Sequence, residues 1–94
     1  LEQGGHARFP DAPTERGVKH VHELIRAVEQ GCRATAFFVI QMAEVVDFAP
    51  NDDTHPAFGA ALRQAREAGV RIAAYSCRVA PDAMYIDHPV PVVL

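Results

Sequence analysis

The chain has 94 residues, 49% of them apolar, and a formal net charge of -3. That length leaves room for one modest core and excludes two. The charge excludes an overall basic nucleic-acid tail, and two cysteines outside any CxxC pair exclude a disulfide framework.

The first residues, Leu1-Glu2-Gln3, read as the middle of a longer chain rather than a start. Leu1 to Arg8 is polar and carries Gly4-Gly5, the pattern of a strand end running into a turn. Phe9-Pro10-Asp11-Ala12-Pro13-Thr14 then sets up a helix. Asp11 and Thr14 are rival caps, with Pro13 inside the first turn if Asp11 holds that place. Val21, Leu24, Ile25 and Val28 follow at i, i+3, i+4 and i+7, a buried helical stripe that Gly31 stops. Gly17 falls early in this helix, where it costs roughly 1 kcal/mol against Ala. A close approach by backbone or ligand explains it, and so does plain tolerance.

Arg33 to Met42 is rich in aromatic and β-branched residues and predicts a central strand covered on both faces. Val45, Val46 and Phe48 lead into a loop over Ala49 to Asp53. A second helix starts near Thr54-His55-Pro56, carries Phe58, Ala61, Leu62 and Ala65, and ends at Gly69. Val70 to Val79 is the next strand. Pro81-Asp82-Ala83 is a turn, Met84-Tyr85-Ile86 a short extended piece, and Val90 to Leu94 an edge strand. Two helical crossovers between apolar strands predict an α/β sheet with helices on its faces.

The charges are unevenly placed. Residues 1–33 hold five basic groups against five acids, and the remainder four against seven. An anion-binding face therefore belongs in the first third. Arg16, Lys19, His22 and Arg26 recur at three- and four-residue spacings on one outer helix face beside a helix start, where free N–H groups also favour anions. The alternative is a solvated face with Glu23 and Glu29 as local partners. His20 falls close to the apolar stripe, where packing or a hydrogen bond accounts for it. His20 and His22 do not converge on a helix, so a structural zinc is rejected. Cys32 and Cys77 lack a base and read as core. Asp52 and Asp53 read as loop solvation or capping. Gln41 is polar at the end of an apolar strand, where side chains of open α/β sheets face a crevice. No phosphate loop, nucleophile elbow or dinucleotide fingerprint is present.

Phe9-Pro10-Asp11-Ala12, Thr14, Arg16-Gly17, Lys19-His20 and Glu23-Leu24 together resemble the signature of the sugar fermentation stimulation protein family, SfsA. The likeness runs on through Gly31, Arg33-Ala34, Phe38-Val39, Gln41, Phe48 and Pro50. It resumes at Asp53, Pro56, Phe58, Leu62, Ala65, Ala68-Gly69-Val70, Ala74-Tyr75 and Pro91-Val92, and so covers essentially the whole chain.

The resemblance implies a two-part protein, an OB-like barrel followed by a domain similar to the PD-(D/E)xK nuclease fold. That domain is three-layered, a mixed sheet flanked by helices, and incomplete in this chain. Residues 1–94 correspond to its C-terminal part, and the OB-like domain is absent. A strand bearing Glu-x-Lys is implied just before Leu1, so Pro10-Asp11 is not the metal motif.

The implied function is nonspecific binding of double-stranded DNA with a regulatory role in sugar (maltose) metabolism, in a cytoplasmic protein. The rivals are a magnesium-dependent nuclease whose metal-binding residues lie upstream, and a structural or protein-interaction domain. Arg16, Lys19, His20, His22 and Arg26 are the expected DNA contacts, and Gln41 sits at the rim of the nuclease-like site. Asp11 and Thr14 play structural or outer-shell roles. No metal ligand or cofactor is expected within the chain, with Mg2+ reserved for the intact protein. Partners are the protein's own OB-like domain and a second copy, with no membrane. Two departures stand out: Pro13 replaces a β-branched residue, and Met42 an Arg, which removes one phosphate-facing charge.

Overall fold

The structure, a computed structural model, describes residues 2–42 and 44–94, with Glu2 and Gln3 described by backbone alone. The polar opening is a hairpin rather than a strand end. β1 (Glu2–Gln3) pairs antiparallel with β2 (His6–Phe9) across Gly4-Gly5, both at positive φ, 59° and 86°. At Gly5 a Cβ would also press on Val46 Cγ2 at 3.0 Å and Glu44 O at 3.2 Å. β2 continues in parallel with β4 (Asp47–Pro50), in the register His6↔Asp47 to Phe9↔Pro50. The loop expected over Ala49 to Asp53 begins inside β4, which takes in Ala49 and Pro50. This strand is short, and its apolar alternation is broken by Ala49-Pro50, so nothing local announces it.

The second sheet has the order β3-β5-β6. β3 (Thr35–Ile40) runs parallel to β5 (Arg71–Ala80), and β5 pairs antiparallel with β6 (Ala83–Val90). The short extended piece expected at Met84 is thus one eight-residue strand ending at Val90. Past it, Phe48 N–H donates to Pro91 O and Val93 N–H to Phe48 O, both at 2.8 Å. This parallel bridge, Phe48↔Val92, carries the chain's tail from the second sheet onto the first.

α1 (Glu15–Glu29) and α2 (Pro56–Ala68) form as their apolar stripes predict. Thr14 wins the cap: its Oγ1 accepts from Gly17 N–H at 3.0 Å. Asp11 lies three residues further out and is exposed, and Pro13 precedes the cap rather than entering the first turn. Both helices bury against the same side of the β3-β5 pair. Val21 and Ile25 of α1 and Phe58, Ala61, Leu62 and Ala65 of α2 share one cluster with Ala36 and Val70. Full burial of a side chain such as Phe58 or Leu62 contributes about 1.5–3 kcal/mol each. A second cluster, Ala7, Ile40, Phe48, Ala74 and Val90, joins the two sheets.

Within this stretch β3 does not stand as the expected central strand covered on both faces. Among the described residues it is an edge of its sheet. Ala36 and Ile40 are buried, while Phe37 and Val39 are 51% and 42% exposed. The period of two that sorts side chains to opposite faces sends the latter pair to the side away from both helices. Register puts them over Ala73 and Tyr75, with the Phe37 and Tyr75 rings stacked at 5.3 Å. Cys77 is buried as expected, but Cys32 lies exposed in the loop after α1.

Candidate nucleic-acid interface and the cavity beside it

Several specific contacts gather at the entrance to α1. Phe9 ends β2 and packs against Phe58 and Phe38, with ring centroids 5.3 and 5.9 Å away. Its carbonyl accepts from Asn51 N–H at 2.7 Å, which fastens the β4–α2 loop to the strand end. Thr14 N–H donates to His55 Nδ1 at 3.1 Å. A Cβ at Gly17 would meet Thr14 Cγ2 at 2.9 Å and Phe58 Cε1 at 3.1 Å. Gly17 is thus required by the close approach of the capping threonine and a core aromatic. Asp52 does not cap or merely solvate the loop. It forms a two-pronged pair with Arg63, at 2.7 and 3.2 Å, lying over Gly59, where a Cβ would collide with its carboxylate. The Arg63 hydrogen bonds hold the Asp52 carboxyl below the usual carboxylate range.

From this anchored start, α1 projects Arg16, Lys19 and Arg26 as exposed side chains. No hydrogen bond or ion pair among the described residues engages any of the three, so Glu23 and Glu29 do not neutralise them by direct contact. His22 is half-buried on the flank of that face. His20, two positions back and so roughly 200° around the helix, sits on the opposite flank. There it lines a cavity of about 200 Å³ with Gly17, Leu24, Phe9 and Phe37.

A larger cavity of about 400 Å³ opens between β2 and the edge of β3, lined by Arg8, Phe9, Phe37, Gln41, Met42 and Phe48 among others. Phe9, Phe37 and Phe38 line both cavities, so a groove follows the free edge of β3 from His20 to Gln41. Gln41 and His20 therefore share a groove, while the exposed cations of α1 lie outside it. Gln41 Nε2 also reaches Met84 Sδ at 3.7 Å.

The sequence alone gives Arg8 and His6 no particular role. Both engage Asp47 Oδ1, Arg8 Nη1 at 2.8 Å and His6 Nδ1 at 3.0 Å, across the β2–β4 pairing that the sequence did not reveal. The Arg8 hydrogen bond, then that of His6, holds the Asp47 carboxyl below its ordinary range. Ser76, His88 and Asp87 have the composition of a nucleophilic triad but not its geometry. Ser76 Oγ and Asp87 Oδ2 approach the same ring nitrogen, His88 Nδ1, at 2.9 and 3.5 Å. Ser76 is only 1% exposed and its hydroxyl also meets the His88 backbone, so the group clasps the β5–β6 irregularity beside it.

This is a mixed α/β domain of two helices on paired sheets, with a cationic helix face and an apolar groove. Residues 1–83 match the family described as Sugar fermentation stimulation protein RE domain, and the chain belongs to that family. A sugar fermentation stimulation protein homolog of Clostridium beijerinckii is 52% identical over 94 residues, all of this chain and 42% of that protein. A homolog from Desulfitobacterium hafniense is 54% identical over 84 residues, 89% of this chain and 37% of that protein. The solved structure of Pyrococcus furiosus SfsA in complex with Ca2+ superposes with a TM-score of 0.91 at 30% identity, over all of this chain and 41% of that one. The chain thus spans about two fifths of the length of the relatives it matches. Among the described residues no helix is long and apolar enough to cross a membrane.

Proposed function

We propose that the protein binds double-stranded DNA without sequence preference, as a regulator in sugar metabolism, and that this stretch contributes phosphate contacts through α1. The observation that carries the reading is the free state of Arg16, Lys19 and Arg26, three exposed cations of one helix with no ion-pair partner among the described residues. Exposed, unpaired Arg and Lys side chains bind phosphate by charge, and phosphate contacts carry no sequence information, which matches nonspecific binding. His22 flanks this face and adds to it. His20 faces the groove and meets a strand at its edge.

The bare side of the β3-β5-β6 sheet supports a domain reading. Phe37, Val39, Val79, Met84 and Ile86 are each between 42% and 65% exposed, more apolar surface than a finished domain leaves in one place. In the intact protein the remaining part of a three-layer nuclease-like domain covers this face and the free edge of β3, with an OB-like domain preceding it. Residues 1–94 are then the C-terminal part of that domain.

A second reading, a magnesium-dependent nuclease, draws on the Ca2+ complex of the Pyrococcus furiosus relative and on the position of Gln41 in the groove. The residues present do not fit the metal on their own. Mg2+ takes hard oxygen ligands, carboxylates above all, whereas the cavity holds Arg8 and the Gln41 amide among apolar walls. No three His, Cys, Asp or Glu converge among the described residues. Metal-holding carboxylates must come from outside this stretch.

Fluorescence anisotropy of the full-length protein on unrelated duplexes tests the first reading. Wild type binds all of them with similar affinity, and the combined change Arg16→Ala, Lys19→Ala and Arg26→Ala weakens binding to each equally. Unchanged affinity in that variant rules out α1 as the contact. Magnesium-dependent cutting, abolished by substituting an upstream carboxylate, would favour the nuclease.

A further inference from the structure

We infer that His55 is a positioning residue that fixes the first turn of α1 by accepting the Thr14 amide on a neutral imidazole. His55 occupies the N-cap position of α2 yet makes no side-chain hydrogen bond to its own helix. Its ring instead reaches across to the start of α1, 41 residues away in sequence, where Nδ1 lies 3.1 Å from Thr14 N. A backbone N–H can only donate. Nδ1 must therefore present its lone pair, and the single ring proton sits on Nε2.

The rest of the junction leaves Thr14 no other partner to adopt. Its Oγ1 caps the helix through Gly17 N–H at 3.0 Å, and its carbonyl accepts from Val18 N–H at 3.3 Å. The amide is the one polar group of Thr14 that faces away from α1, and His55 takes it. His55 is itself held: its N–H donates to Asn51 O at 2.9 Å, and Asn51 N–H donates to Phe9 O at 2.7 Å. The ring is therefore aimed from a loop that is tied to β2 on one side and, through the Asp52–Arg63 pair, to α2 on the other. Helix starts are the natural place for such a constraint. A cap side chain sets the direction in which the first turn leaves, and here the cap residue is oriented by a second helix. Arg16 and Lys19 stand on that turn and the next, so their placement follows from His55. This last link rests on the DNA reading above, whereas the hydrogen bond does not.

The test uses the full-length protein. In ¹⁵N-histidine NMR, with His55 assigned as the resonances missing from a His55→Asn spectrum, the ring is the neutral Nε2–H tautomer and Nδ1 carries the shift of an acceptor. A proton on Nδ1 overturns the proposal. Two variants separate positioning from bulk. Asn places its amide oxygen as many bonds from the backbone as His places Nδ1, so His55→Asn keeps the acceptor while His55→Ala removes it. Thr14 amide exchange accelerates at least tenfold in His55→Ala and stays within about twofold of wild type in His55→Asn, and DNA affinity follows the same order. Equal behaviour of the two variants overturns the proposal. If His55→Ala does not fold, the wild-type tautomer together with the His55→Asn exchange rate decides it. Should the wild type bind no DNA, the DNA reading fails, and the tautomer and exchange results still decide the role of His55.

Discussion

The two sides of the β3-β5 pair are built from similar residues and meet different fates. Ala36, Phe38, Ile40, Ile72 and Ala74 face the helices or the first sheet and belong to its packed clusters. Phe37, Val39 and Tyr75 face the other way, with the Phe37 and Tyr75 rings stacked on each other and Phe37 and Val39 left exposed. The inner side is finished by elements this chain supplies: a capped helix, an aromatic cluster and a loop strapped by Asp52 and Arg63. The outer side carries a strand's worth of exposed apolar residues, which, on the domain reading proposed above, the rest of a longer protein covers. Apolar content alone cannot tell these sides apart, because a strand buried on both faces is written as a continuous run.

Core truncation gives the largest contrast. In the full-length protein Phe58→Ala costs about 3–5 kcal/mol by urea denaturation, since the ring is 2% exposed and meets Phe9 and Phe38. Phe37→Ala in the same protein discriminates between the two accounts of the outer face. A covered face predicts a loss of about 2 kcal/mol or more, and a bare one predicts about 0.5 kcal/mol.

Gly17→Ala comes next. The new Cβ displaces either the capping Thr14 or the buried Phe58, an overpacking cost of about 1–3 kcal/mol. Thermal melts that show stabilisation instead would mean that the helix-propensity gain wins and the contact yields.

The acid limb should follow Asp47 and Asp52. Both carboxyls have folded-state pKa values lowered by their Arg partners. They therefore stabilise the fold above the ordinary carboxylate range, and that contribution is lost as the pH falls through it and below. The double variant Asp47→Asn and Asp52→Asn flattens this part of the stability curve, which denaturation at several pH values reads directly. Gly59→Ala is the smallest effect. It breaks the exposed Asp52–Arg63 pair, worth at most about 1 kcal/mol, and gains about as much in helix propensity, so the melting point stays nearly unchanged.

Particular residues show what was legible in the sequence. The stripe Val21, Leu24, Ile25 and Val28 gave α1, and Pro56 with Gly69 bounded α2, because helix periodicity and end signals are local. Thr14 and Asp11 could not be separated as caps, since the choice depends on where Phe9 and His55 hold the chain. β4 escaped because its pairing with β2 is long-range and its four residues carry no alternation. The candidate cations on α1 were visible from spacing. Their freedom from Glu23 and Glu29 was not, because spacing permits an ion pair without enforcing one. His55 read only as part of a helix start, and its reach to Thr14 is a tertiary fact.

The central claim is that α1 meets phosphate through Arg16, Lys19 and Arg26. The most direct test is the dependence of DNA affinity on salt for the full-length protein and for the triple alanine variant. Each phosphate contact contributes about 0.9 to the slope of log affinity against log salt, so the variant's slope should be shallower by up to roughly 2.7. Equal slopes for the two proteins would contradict the account and return α1 to a solvated face.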